Sequence, residues 1–110
     1  MRTVGEVYQN SVSPQAFVLD VTPSDSTIPG GVTDMTLVSA ASLRVYLPDG
    51  TSTTWTATIS MQSTAKLRLT HPYASGDLSQ TGRHVIFADL TTTDGTEPCS
   101  PVTLLVKSAR

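Results

Sequence analysis

The side chains that could carry out acid–base or nucleophilic chemistry are few, and their spacing separates them. His84 and Asp89 could form a catalytic triad with one of the many serines. Both lie in a segment that alternates like a β-strand, in which positions an odd number of residues apart face opposite sides. No Gly-x-Ser-x-Gly motif accompanies them. The sequence therefore predicts that His84 is an ordinary strand residue and that the protein is not an enzyme.

Metal and cofactor sites have equally little support in the sequence. His71, His84 and Cys99 could together bind a transition metal, but Cys-x-x-Cys and His-x-His spacings are absent. The acidic residues do not have the spacing of a calcium loop, and no glycine-rich run opens a phosphate-binding helix. His71 precedes Pro72 and is predicted to lie in a loop. Cys99 is predicted to be a half-buried thiol, with a reactive or intermolecular thiol as the alternative. We expect neither a metal nor a cofactor.

Aromatic residues could instead bind a carbohydrate. Trp55, the one tryptophan, could stack on a sugar ring, and Tyr73 is a second candidate for such a platform. Trp55 alternates with Ala57 and Ile59, however, and this period of two favours a place in the core of a β-protein. A binding module for carbohydrate or a host surface is one function class that the sequence leaves open.

The composition describes one small, weakly charged domain. The chain has 110 residues, of which 15% are charged, and its net charge is -2. Arg44, Lys66 and Arg68 are the closest approach to a basic cluster and lack an aromatic platform, so no nucleic-acid partner is expected. No apolar run has the length of a membrane span, so no membrane partner is expected either.

The cellular location follows from the same features. Residues 1–8 include Glu6 and lack the apolar segment of a signal peptide, and a single cysteine cannot form an internal disulfide. These features predict that the protein is made and assembled in a reducing cytoplasm. The low charge favours a protein packed against neighbours, because interface cores are depleted in charge, although it also suits a lone secreted domain.

A hairpin at residues 43–59 determines the predicted fold class. Leu43, Val45 and Leu47 share one face of its first strand, and threonines occupy the outer face of its second. The Asp-Gly pair between the strands is a strong hairpin signal. Further strands are predicted at 15–21, 65–70, 84–90 and 102–106, a short strand or bridge at 35–38, a loop at 22–31, a turn at 60–64 and a second Asp-Gly turn at 93–96. We therefore predict an all-β, immunoglobulin-like antiparallel β-sandwich of about seven strands over residues 14–110.

Residues 1–13 are predicted to form an N-terminal arm before this domain. Val4, Val7 and Tyr8 are its candidate partner-binding residues. A sandwich leaves unpaired edge strands, and an extended arm can add to such an edge in its own chain or in the next subunit. A disordered tail is the alternative.

Several motifs, in this order, resemble the small immunoglobulin-like domains of tailed-phage virions. The similarity is in particular to the N-terminal domain of phage baseplate upper proteins and its free-standing relatives, and it covers residues 14–107. The motifs are Ala-Ser-Leu-Arg-Val-Tyr-Leu-Pro-Asp-Gly-Thr at 41–51, Thr-Trp-Thr-Ala-Thr-Ile at 54–59, Lys-Leu-Arg-Leu at 66–69, Gly-Asp-Leu-Ser-Gln-Thr-Gly-Arg-His at 76–84 and the Thr-Asp-Gly turn at 93–95.

The resemblance implies a non-enzymatic virion structural protein whose partners are other virion proteins and copies of itself. Baseplate members of the family use this domain as an attachment module that precedes receptor-binding or coiled-coil segments. The present chain ends at Arg110 after its final strand, which favours a free-standing piece of the tail, neck or baseplate. Capsid decoration on the phage head is the alternative location.

Overall fold

The computed structural model describes residues 2–12, 15–22, 34–93 and 95–108. These parts of the chain contain nine β-strands and one short 3-10 helix, Met35–Leu37, so the all-β prediction is confirmed. The strands are β1 (Arg2–Tyr8), β2 (Ala16–Val21), β3 (Ala40–Tyr46), β4 (Ser52–Thr56), β5 (Thr58–Gln62), β6 (Leu67–Pro72), β7 (Gly82–Thr92), β8 (Gly95–Pro98) and β9 (Val102–Lys107).

The strands form two sheets around a common core. The larger sheet has the order β1-β9-β7-β3-β4, and β8 pairs with the end of β7 beside it. The smaller sheet has the order β2-β6-β5. Neighbouring strands are antiparallel except for β1 and β9, which run parallel. This one parallel pair involves β1, which lies in the predicted arm and not in residues 14–110, for which the antiparallel sandwich was predicted.

The predicted hairpin is present as β3 and β4. Its register places Leu43 opposite Trp55 and Val45 opposite Thr53. The Asp49 carboxylate closes the turn, because its Oδ1 accepts hydrogen bonds from the backbone N–H of Thr51 at 2.9 Å and from the Thr51 hydroxyl at 2.6 Å. An aspartate that bonds two residues ahead stabilises such turns.

The chain changes sheets after this hairpin. β4 belongs to the larger sheet and β5 to the smaller one, and Ala57 is the single residue between them. The predicted turn at 60–64 is wrong in its first half, because β5 continues to Gln62. The turn follows instead, where the Ser63 N–H donates to the Lys66 carbonyl at 2.8 Å.

Buried side chains from both sheets meet in one hydrophobic cluster. Leu78, in the corner between β6 and β7, is fully buried, and Tyr73 is a second buried residue of that corner. Cys99 is buried rather than half-buried. The other core residues are Phe17, Leu19, Val21, Met35, Val38, Leu43, Val45, Trp55, Leu67, Leu69, Ile86, Ala88, Leu90, Val102, Leu104 and Val106.

His71 lies in β6 and not in a loop, which corrects the sequence prediction. It pairs with Phe17 of β2 and is almost completely buried. Its Nδ1 lies 2.7 Å from the Thr56 carbonyl oxygen, and its Nε2 lies 2.8 Å from Asp77 Oδ2. Both ring nitrogens thus face oxygen atoms that can accept a hydrogen bond. His71 thereby links the end of β4 to the corner before β7.

The segment at 35–38 also differs from its prediction. It forms a 3-10 turn instead of a strand, because Asp34 caps it by accepting a hydrogen bond from the Thr36 N–H at 3.0 Å. The predicted loop at 22–31 lies almost wholly outside the described residues.

Two glycines with positive φ allow a matched test of backbone conformation. Gly82 begins β7 at φ +120°, and a Cβ there would lie 3.1 Å from Pro48 Cγ. Gly95 begins β8 at φ +123°, with nothing within 4 Å of the same position. Gly95→Ala should lower the free energy of unfolding by about 1–3 kcal/mol through backbone strain alone. Gly82→Ala should cost more, because its methyl group also crowds Pro48. Urea denaturation of both variants measures the difference, and equal losses would contradict a steric role for Pro48.

Candidate partner-binding edge

β1 forms one edge of the larger sheet. Its only strand partner among the described residues is β9, so one side of its backbone is left without a neighbouring strand. Edge strands of this kind are templates for pairing with another chain unless something blocks them. β1 contains no proline and no lysine, which are two of the common blocking residues.

The three predicted partner-binding residues all lie on this edge strand. Val4 and Val7 are half-buried and pack against the hydrophobic core. Tyr8 points away from it, with 61% of its surface exposed, more than that of most large apolar side chains in the described chain. Val4 and Val7 therefore pack β1 against the domain, whereas Tyr8 is accessible to a partner.

A β-bulge explains how two valines three residues apart can face the same core. The register of β1 against β9 shifts between Thr3 and Gly5, so that Val4 is an extra residue in the ladder. Without the shift, Val4 and Val7 would point to opposite sides of the sheet. The bulge divides the pairing of β1 with β9 into a short stretch at Arg2 and Thr3 and a longer one from Gly5 to Tyr8.

Side-chain contacts fasten β1 to β9. The Thr3 and Thr103 hydroxyls lie 2.9 Å apart, and Lys107 Nζ lies 2.9 Å from Glu6 Oε1. The carboxylate of Glu6 raises the pKa of Lys107 through this hydrogen bond. Both members of the ion pair are about half exposed, so its contribution to stability is small. Its main effect is to neutralise the charge along the edge.

Two clefts border β1. The first is a groove of about 120 Å³ between β1 and β2, which is the edge strand of the smaller sheet on the same side of the molecule. Its lining includes Val4, Phe17, Val18 and Leu104. The second, of about 130 Å³, is lined by Glu6, Val7, Tyr8 and Lys107. A strand added to β1 could therefore place side chains into these two recesses.

The predicted arm does not project from the domain over its described part. Residues 2–8 are paired within their own chain, which is one of the two pairings that the sequence left open. The following residues also dock, since the Gln9 N–H donates to the Lys107 carbonyl and the Asn10 N–H to the Leu78 carbonyl. The segment is therefore an edge strand of the sheet rather than a separate arm.

The outer face of the larger sheet carries a cluster that the sequence analysis did not identify. Arg44 pairs with Asp89 through two hydrogen bonds of 2.6 and 3.1 Å and lies over the Phe87 ring at 4.8 Å. Tyr46 packs edge-on against Phe87 and is 38% exposed. These residues come from β3 and β7, which are far apart in sequence, so no local pattern brings them together. Alternation alone predicts only that they face outward.

The structure separates the residues considered for catalysis. His84 is fully buried on the core side of β7, whereas Asp89 lies on the outer face with Arg44. Neither His84 nitrogen has a hydrogen-bond partner among the described residues. Over the same residues, no group of three or more His, Cys, Asp or Glu side chains is close enough to hold a metal ion.

The two aromatic residues considered as a sugar platform are inaccessible. Trp55 is 2% exposed and Tyr73 is 3% exposed, and they pack edge-on against each other in the core. The prediction that Trp55 is a core residue is confirmed.

Comparison with known proteins does not assign the chain to a family. No family model matches the chain, and a search of curated proteins finds no match. In the part of the chain that the structure describes, no helix has the length and apolar character needed to cross a membrane.

Proposed function

We propose that the chain is a non-enzymatic structural subunit of a bacteriophage virion, built as an immunoglobulin-like domain and placed in the tail, neck or baseplate. The partners are other virion proteins and copies of the same chain. The observation that carries the proposal is the strand order of the two sheets, together with the motifs at 41–51 and 76–84.

The strand order supports the immunoglobulin-like part of the proposal. Immunoglobulin-like sandwiches place strands B, E and D in one sheet and G, F and C in the other, and variable-type domains add C′ beside C. Assigning β2 to β7 in order as B, C, C′, D, E and F, and β9 as G, gives the orders B-E-D and G-F-C-C′. β1 then lies beside G, and β8 extends the connection between F and G. The core lacks the inter-sheet disulfide of antibody domains, since Cys99 is the only cysteine.

The edge strand supports the assembly part of the proposal. β1 offers an edge without a further strand partner among the described residues, an exposed aromatic ring at Tyr8 and neighbouring recesses, and tyrosine is enriched among the residues that dominate interface energies. A subunit that joins neighbours through an edge strand needs no catalytic group.

Localisation in particles tests the proposal directly. Antibodies against the chain should label purified virions of the phage that encodes it, at a fixed position on the tail, neck or baseplate in electron micrographs. Label on the capsid shell would favour the decoration role instead. Absence of the chain from density-purified particles, despite its production in infected cells, would overturn the virion assignment.

Tyr8→Ala should lower the occupancy of the chain on particles while changing the free energy of unfolding by less than about 0.5 kcal/mol, because the side chain is exposed. The matched control is Tyr46→Ala, which removes an exposed tyrosine from the sheet face rather than from the edge. Occupancy is measured by quantitative mass spectrometry of purified particles, and stability by urea denaturation. An equal loss of occupancy in both variants would contradict a specific role for the β1 edge.

Carbohydrate binding is a second candidate function because of the aromatic pair on the outer face, in which Tyr46 is exposed and Phe87 is half-buried. Tyr46 and Phe87 could stack on a sugar ring beside the polar groups of Arg44 and Asp89. Glycan-array binding that is lost in Tyr46→Ala and retained in Tyr8→Ala would favour this function over edge-based assembly.

A further inference from the structure

β4 forms the other edge of the larger sheet and lacks the features that prevent an edge strand from pairing with another chain. β4 pairs with β3, and no strand in the described ranges pairs with its other side. Residues 51–65, which include β4 and β5, contain no charged residue and no proline. Edge strands are usually protected by lysine, proline or inward-pointing charges. Within the described ranges, the outer side of β4 therefore has no strand partner and no electrostatic barrier to one.

The neighbouring edge of the smaller sheet is better covered. The Gln62 side-chain amide at the end of β5 donates to the backbone carbonyls of Met35 and Val38, each at 2.8 Å. The 3-10 turn thus lies against β5, and β5 also contains a bulge between Ile59 and Met61. Of the two edges on this side of the molecule, β4 is the one more open to an added strand.

The strand directions make β4 and β1 complementary. In the larger sheet, β1, β9 and β3 run in one direction, and β7 and β4 run in the opposite direction. If a second copy is placed beside the first in the same orientation, its β4 runs antiparallel to β1. Antiparallel pairs are slightly more stable than parallel ones and continue the sheet.

The charges of the two edges are also compatible. The charges of Glu6 and Lys107 neutralise each other beside β1, and β4 presents only Ser, Thr and Trp residues. The recesses that flank β1 provide room for side chains of an incoming strand. A contact between two β1 edges would instead bring two of these ion pairs and two bulges together, and bulges disrupt a pairing ladder.

We infer that β4 of one copy pairs antiparallel with β1 of a second copy, in a head-to-tail contact that leaves one free edge at each end. Such a heterologous contact generates a ring if the rotation between copies closes and an open array if it does not. The inference rests on the proposed function as an assembly subunit and specifies the surface that copies share.

Complementary blocking of the two edges tests the inference. Thr53→Lys places a lysine on the core-facing side of the β4 edge, where the threonine side chain is exposed, and Tyr8→Asp alters the β1 edge beside Lys107. Ser52→Lys is a second β4 variant if Thr53→Lys does not fold. Thr93→Lys, in the exposed turn after β7, adds the same charge away from both edges. Circular dichroism checks the fold of each purified full-length variant.

Sedimentation velocity over a range of concentrations gives the readout. Wild type and Thr93→Lys should grow beyond dimers as concentration rises, whereas Thr53→Lys alone and Tyr8→Asp alone should stay monomeric at concentrations at least about tenfold higher. An equal mixture of the two edge variants should form a heterodimer and nothing larger, because each supplies the edge that the other lacks.

Other outcomes overturn the head-to-tail contact. Dimers of Thr53→Lys alone would indicate a two-fold β1 contact, and dimers of Tyr8→Asp alone a two-fold β4 contact. A monomeric wild type, or a mixture that stays monomeric, would also overturn it. The proposed function fails separately, through absence of the chain from purified particles. If Thr53→Lys joins particles at full occupancy, the contact is wrong and the virion role stands.

Discussion

Trp55→Ala is expected to lower the free energy of unfolding by about 3–5 kcal/mol, the range for removing a large aromatic side chain from a core. The indole comes from β4 of the larger sheet and reaches the smaller sheet. It stacks on His71 at a centroid distance of 4.8 Å and packs edge-on against Phe17 at 6.0 Å. The substitution therefore removes packing between the two sheets and also leaves a cavity. Far-UV circular dichroism in urea measures the loss, because the variant has no tryptophan fluorescence.

Trp55→Phe is the matched comparison. The buried indole N–H has no hydrogen-bond partner within the described ranges, and phenylalanine removes this donor while keeping an aromatic ring against His71. We expect it to cost less than about 2 kcal/mol, because part of the lost packing is offset by removal of an unsatisfied polar group. A loss of under about 1 kcal/mol in Trp55→Ala would contradict a role for the indole in joining the sheets.

The domain is expected to lose stability as the pH falls from 7 to 5, because of His84. Burial lowers the pKa of His84 below its ordinary value of 6.5, and an interaction with the Gly82 backbone opposes this only in part. Near and below pH 6.5 the unfolded chain therefore binds this proton to a greater extent than the folded chain does. Protonation then favours unfolding, by at most about 1.4 kcal/mol per pH unit for one group. Above pH 6.5 both states are neutral and this effect vanishes.

His84→Leu isolates that effect. The variant should be more stable than wild type by about 1 kcal/mol or more at pH 7, because two buried nitrogens without hydrogen-bond partners are removed. Its advantage should grow from pH 7 to pH 5. His71 is present in both proteins, so the difference between their urea-denaturation curves reports on His84 alone. A constant difference over this pH range would contradict the assignment.

The local part of the fold could be predicted from the sequence, and the pairing of distant strands could not. The hairpin of β3 and β4 follows from alternation and the Asp-Gly turn, which act over neighbouring residues. The change of sheets at Ala57 leaves the alternation of Trp55, Ala57 and Ile59 undisturbed, because all three still face the core. A period of two determines which face is buried but does not specify the sheet to which a strand belongs.

The missed features of β1 and β6 have specific physical causes. The bulge in β1 breaks the period of two, so the spacing of Val4 and Val7 does not match a strand pattern. Pro72 directly after His71 suggests a loop in the sequence, although the residue before a proline favours extended backbone and can end a strand. Its burial depends on acceptors at Thr56 and Asp77, whose positions only the folded chain determines.

The parallel pairing of β1 with β9 has a mechanical consequence. The start of β1 and the end of β9 lie at opposite ends of the same ladder, with Arg2 opposite Val102 and Tyr8 opposite Lys107. Tension that separates Arg2 from Lys107 therefore acts along the strands, and the hydrogen bonds between them bear the load together. In a hairpin pulled apart from its open end, the bonds would break one after another. β1 and β9, the first and last strands among the described residues, are therefore loaded in shear when the two ends of the described chain are pulled apart.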